Sequence, residues 1–129
     1  DWSSERVLFR SMRDLIKAYL KDKQFEKAAN LAEDYIHIKP ADSEFLYIAS
    51  YCHKVLQNFK KAADFGERLR LRNHDMVKNL VNLADIYYLQ GLYHRSRTII
   101  DFAAKLDPHD IKVKRVLEAL ARKNVNPPA

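Results

Sequence analysis

The 129-residue chain reads as an all-α solenoid, a stack of helix pairs, and three observations lead there. The sequence resembles itself at a spacing of 34 residues. It holds two Gly and four Pro, too few turn formers for a β-sandwich or barrel, which needs a turn signal roughly every 8–12 residues. Its apolar residues recur at i, i+3, i+4 and i+7, the signature of one helical face.

The repeat is carried by six columns in register. Pro40, His74 and Pro108 stand 34 apart, as do Phe25, Phe59 and Tyr93, and Ala28, Ala62 and Ser96. Tyr19, His53 and Tyr87 continue the series, with Leu15, Ala49 and Leu83, and Met12, Leu46 and Leu80. Most columns keep size and polarity, which one chance coincidence would not do. The units are 9–42, 43–76 and 77–110. Residues 1–8 are an N-terminal arm or the start of the first helix, residues 111–123 a capping helix, and residues 124–129 a tail.

Each unit is expected to hold two helices. The first spans 9–22, 43–56 and 77–90, with packed stripes such as Met12, Leu15, Ile16 and Tyr19. The second spans 25–38, 59–72 and 93–106. The breaks fall at Lys23-Gln24, Gln57-Asn58 and Gly91-Leu92. Pro40 and Pro108 stop second helices because proline lacks the amide and clashes with the preceding turn. Asp42 and Asp110 stand where an N-cap is wanted. In 111–123, Val113, Val116, Leu117 and Leu120 share one face and charges the other, as a solenoid cap requires.

These residues resemble tetratricopeptide repeats (TPR). The third unit carries Leu80, Leu83-Ala84, Tyr87, Gly91, Tyr93, Ser96 and Pro108. The first carries Leu15, Tyr19, Phe25, Ala28, Ala32 and Pro40, and the second Ala49, Phe59, Ala62 and Gly66. The resemblance covers about residues 9–123. It implies a right-handed solenoid of three helix-turn-helix units and a role in protein binding. Three positions depart from the pattern: His74 replaces a usual Pro, Ile16 a Gly or Ala, and Tyr35 an Ala. The last two imply locally wider helix spacing.

The chain offers no catalytic constellation. None of its five His lies at i+3 or i+4 from another, so no helical metal pair forms. Cys52 and His53 are neighbours in sequence and diverge around a helix, so they do not form a nucleophilic pair. Cys52 is expected to be a structural thiol and His53 a packed core histidine. Phosphate-cradling glycine loops and nucleophile elbows are absent. Gly66, alone inside a helix, points to close helix packing. No enzyme, cofactor or metal is expected.

The composition is globular: 47% hydrophobic and 31% charged. No run of residues is long and apolar enough for a membrane span. The chain begins with Asp1 and shows no signal pattern. It is therefore expected to be a mature form or a piece of a longer protein, with its compartment unknown.

The informative surface is the stripe opposite the packed face of each first helix. It carries Arg10, Arg13, Lys17 and Lys21, then Glu44, Tyr47, Tyr51 and Lys54, then Lys78, Asp85 and Tyr88. The cap adds Lys112 and Arg115. Eight of these are Lys or Arg against two acids. In TPR proteins this stripe lines the concave groove. The groove residues singled out are Arg13, Lys17, Tyr47, Tyr51, Lys54, Lys78, Asn82 and Tyr88. An ordinary solvated face is the alternative, and Tyr47 and Tyr51, one turn apart, favour the groove. Some TPR domains clamp a peptide carboxylate at positions matching Arg13, Lys17, Ile48, Lys78 and Asn82. Ile48 and Lys17 stand where amides are needed, which argues against a strict clamp.

The net charge of +6 also raises nucleic-acid binding. Arg68, Arg70, Arg72, Arg95 and Arg97 spread around their helices rather than forming a ridge, so that partner is not favoured. The expected partner is a protein or peptide of acidic or aromatic character. The expected role is a scaffold segment, with a secretion or assembly chaperone as the alternative. Open solenoid ends and an arm around Trp2 also allow self-association.

Overall fold

The computed structural model describes residues 2–124. The side chain of Trp2 and the tail from residue 125 onward lie outside the described part. Seven helices follow in order: α1 (Trp2–Lys21), α2 (Phe25–Ile38), α3 (Ser43–Val55), α4 (Phe59–Arg72), α5 (Val77–Leu89), α6 (Tyr93–Leu106) and α7 (Ile111–Arg122). Successive helices pack as antiparallel neighbours, and α3, α5 and α7 also touch along one side.

The three turns inside the units are copies of one another. Lys23, Gln57 and Gly91, which share a column, adopt φ of 58°, 65° and 78°. In each turn the next amide returns 2.8 Å to a carbonyl five residues back, those of Tyr19, His53 and Tyr87. This is the left-handed cap that satisfies the last carbonyls of a helix. Gly91 adopts it freely, whereas Lys23 and Gln57 do so at a cost of roughly 1 kcal/mol each.

The breaks between units need less than the prolines suggest. α4 ends at Arg72 beside His74, with Asn73 at φ −144°, ψ 82°. α6 ends beside Pro108 with Asp107 at φ −144°, ψ 83°. The backbone leaves the helix in the same way with and without proline. Asp42 accepts from the amide of Phe45, and Asp110 from those of Lys112 and Val113. Met76 occupies the same column and offers no cap.

The core runs the length of the stack. Phe45, Leu46, Leu69, Leu80, Leu83, Ile86, Ile100 and Leu120 are fully buried, each stabilising the fold by about 1.5–3 kcal/mol relative to exposure. Leu15 departs from expectation: its column partners Ala49 and Leu83 are buried, yet it is 44% exposed. α3 and α5 each lie against the second helix of the preceding unit, and among the described residues no such helix precedes α1. The α1–α2 seam is the loosest of the three hairpins. It is filled by Ile16 and by Tyr35, whose ring stacks on Phe45 at 3.7 Å. Cys52 and His53 are both buried. His53 stacks on Phe65, its Nδ1 sits 3.3 Å from the Asn58 amide, and its Nε2 faces Glu33 at 3.4 Å. One unit later the same contact recurs, with Tyr87 donating to Glu67 at 2.5 Å.

The centre of the stack is closed by polar groups. Ser50 donates to the carbonyl of Ala62 at 2.7 Å, and Asn82 donates to Ser50 Oγ at 2.8 Å. Asn79 donates to the carbonyl of Gly66 at 3.0 Å. Ser96 repeats the Ser50 bond one unit on, to Ala84 at 2.6 Å. A Cβ on Gly66 would stand 2.6 Å from Leu83 Cδ2, 2.9 Å from its Cγ and 3.1 Å from Ser50 Oγ.

Two outcomes follow from this core. Gly66→Ala, which in an exposed helix would gain roughly 1 kcal/mol, is expected to lose about 1–2 kcal/mol through overpacking. A guanidinium midpoint at or above wild type would contradict that. Burial raises the Cys52 thiol from 9.0 to about 11. Burial, then the hydrogen bond to Glu67, raises Tyr87 from 10.0 to about 12. Both groups keep their protons in the fold after the unfolded chain has lost them. Stability therefore declines as pH rises from about 9 towards 12, because the folded state binds more protons. Urea midpoints measured across that range check the slope, and Cys52→Ala should flatten its lower part.

Candidate functional site

Three helices of the same kind, α3, α5 and α7, place their outward residues around one hollow of about 250 Å³. α3 contributes Tyr47, Tyr51 and Lys54. α5 contributes Lys78, Val81, Asn82 and Asp85, and α7 contributes Lys112, Arg115 and Val116. The helical period explains the selection: Tyr47, Tyr51 and Lys54 are spaced by four and three, as are Lys78, Val81, Asn82 and Asp85.

The floor is aromatic. The rings of Tyr47 and Tyr51 lie 6.3 Å apart at 21°. Lys78 Nζ sits 4.6 Å over the Tyr47 ring, and Lys54 Nζ sits 4.9 Å over Tyr51. Burial, then the neighbouring Tyr51, raises the Tyr47 phenol above its ordinary value, so this phenol remains a hydrogen-bond donor at neutral pH. Lys54 is held on its other side by Asp85 at 3.0 Å. Asn82 is buried, with its amide committed to Ser50. Its Oδ1 has no hydrogen-bond partner among the described residues.

Five of the eight singled-out residues therefore meet: Tyr47, Tyr51, Lys54, Lys78 and Asn82. The other three lie elsewhere. Arg13 bonds to Glu44 at 3.4 Å. It lines a separate, larger hollow of about 790 Å³ with Arg6, Val7, Phe9, Arg10 and Tyr35. Lys17 is exposed on α1. Tyr88 leans on Tyr93, centroids 5.3 Å apart, against the third-unit core. Lys112 and Arg115, read from the sequence as the cap's addition to the groove stripe, do line the hollow. Val116, read as part of the cap's packed face, lines it too, and the pairing of Asp85 with Lys54 was not expected. Ile48 is half-buried against the apolar clusters that contain Ala32 and Cys52, so the clamp-like positions do not form one cradle.

Four of the five arginines singled out on α4 and α6 are engaged locally. Arg70 meets Glu67 at 2.7 Å, and Arg97 meets Asp101 at 2.8 Å. Arg68 and Arg95 lie over the rings of Phe65 and Tyr87. Among the described residues no cluster of His, Cys, Asp or Glu could hold a metal ion, and no helix is long and apolar enough to cross a membrane.

No protein-family model and no curated protein sequence matches the chain. Solved structures do. The TPR domain of Arabidopsis OM64 superposes with a TM-score of 0.83 at 21% identity, covering 90% of this chain and 95% of that one. The first TPR of Spaghetti (RPAP3), bound to an HSP90 peptide, gives 0.84 at 10% identity over 90% and 92%. The Yersinia enterocolitica type III secretion chaperone SycD, in complex with a peptide of the translocator YopD, gives 0.82 at 14% identity over 92% and 95%. With seven helices in a 34-residue register and these superpositions, the chain has the fold of tetratricopeptide-repeat domains, three units closed by a capping helix.

Proposed function

We propose that this chain is a non-catalytic protein-interaction module that holds a segment of a partner protein in the hollow between α3, α5 and α7. The observation that carries the reading is the convergence of Tyr47 and Tyr51 with cations from three helices on one concavity. Tyrosine supplies contact area at low entropic cost. The surrounding Lys and Arg steer acidic segments in and disfavour basic ones. Two structural relatives hold peptides, which supports a peptide or helix as the occupant. The module serves as a scaffold segment of a larger assembly. Similarity to a secretion chaperone that holds a translocator peptide favours a second role, as an assembly chaperone. A nucleic-acid track is disfavoured because Arg68, Arg70, Arg95 and Arg97 are spent on local acids and rings.

The test is a crosslinking pull-down from the native host with wild type and Tyr47→Ala/Tyr51→Ala. Both rings are partly exposed, so helicity should persist. Partner recovery should fall by a factor of ten or more, in line with about 1–2 kcal/mol per lost aromatic anchor. Equal recovery at equal helicity would remove the hollow from the function.

A further inference from the structure

The capping helix is more than a lid on the last repeat. Its buried face, Val113, Val116 and Leu120, does the covering, yet its first two turns also send Lys112 and Arg115 into the hollow, opposite Lys78 at the start of α5. None of these three cations pairs with a carboxylate of the described residues. Asp85, the one acid lining the hollow, is committed to Lys54. Asp110, next to Lys112, is committed to capping the α7 amides.

Their placement runs against helix stability. Lys78 and Lys112 are each the second residue of a helix, where the macrodipole is already positive and acids are favoured. Neither α5 nor α7 has an acid in its first turn, nor do α4 and α6, whereas α1, α2 and α3 do. Three cationic side chains, two of them at helix starts, thus line one small space, with the Asp110 cap offsetting only the α7 start. Beneath them sits the unpaired Oδ1 of the buried Asn82, an acceptor that a main-chain amide would satisfy.

Resting on the reading above, we propose that the hollow recognises an internal acidic segment whose carboxylate side chains bridge α5 and α7, and that the cap is half of the recognition surface. The clamp-like positions Arg13 and Ile48 are engaged elsewhere, so the hollow lacks the set that would hold a terminal carboxylate. Adjacent acidic side chains on an extended segment satisfy all three, with a peptide N–H turned to Asn82 and apolar contact with the Tyr47 ring. Such a ligand staples the last helix to the third unit.

The probe is a fluorescein-labelled hexaglutamate peptide with an amidated C-terminus, followed by anisotropy at low salt, with hexaglutamine as control. Lys112→Ala/Arg115→Ala should weaken hexaglutamate binding by more than about tenfold. Lys60→Ala/Lys105→Ala removes the same charge from exposed positions on α4 and α6 and should change it by less than about twofold. Bound peptide should slow amide exchange in α7. Equal losses in the two double variants, wild-type binding without Lys112 and Arg115, no preference over hexaglutamine, or unchanged α7 exchange would each overturn the proposal. Partner capture that needs Tyr47 and Tyr51 but survives loss of Lys112 and Arg115 would overturn it while leaving the interaction module standing.

Discussion

The architecture depends on how closely α4 can approach α3 and α5, and that distance is set at Gly66. A hydrogen in place of a methyl lets Leu83 and Ser50 close over the α4 backbone. The approach brings two backbone carbonyls within reach of side-chain donors: Ala62 meets Ser50, and Gly66 meets Asn79. Asn82 then ties α5 back to Ser50 on α3. Removing a buried partner from such a set costs more than the bond is worth, since the remaining group stays desolvated. The relation of α3 to α5 is therefore defined in angle as well as in separation.

That relation builds the hollow. Tyr47 and Lys78 lie on different helices in different units, and the 4.6 Å between ammonium and ring exists only because the junction beneath them is rigid. Asn82 belongs to both levels, with its amide in the core network and its residue at the floor of the hollow. On the opposite side of the stack, Glu33 facing His53 and Glu67 accepting from Tyr87 link successive units again. The two sides share the work: one fixes the stack, and the other keeps charges that the stack does not neutralise.

Nearly all of the secondary structure was legible in the chain, because helix ends here are local events. A left-handed residue closes each hairpin, Asp42 and Asp110 start two helices, and the apolar period marks the buried face. Leu15 misled for a different reason. Its column is buried by the preceding unit's second helix, and among the described residues no helix stands in that place beside α1. Column identity says what a residue would pack against, not whether that surface is there.

The candidate site divides along the same line. The face of each first helix that looks outward follows from the 3.6-residue period, so Tyr47, Tyr51, Lys54 and Lys78 could be chosen by counting, whereas the buried Asn82 came from the match to clamp positions. Which of the outward faces converge could not be counted. Arg13, Lys17 and Tyr88 lie on the same stripe and fall outside the hollow, while Val116 enters it from the packed face of α7 beside Lys112 and Arg115. Periodicity fixes an angle about one axis. Convergence depends on the rotation and separation between axes, and those come from side-chain volumes and buried hydrogen bonds at contacts such as Gly66, summed over the whole stack.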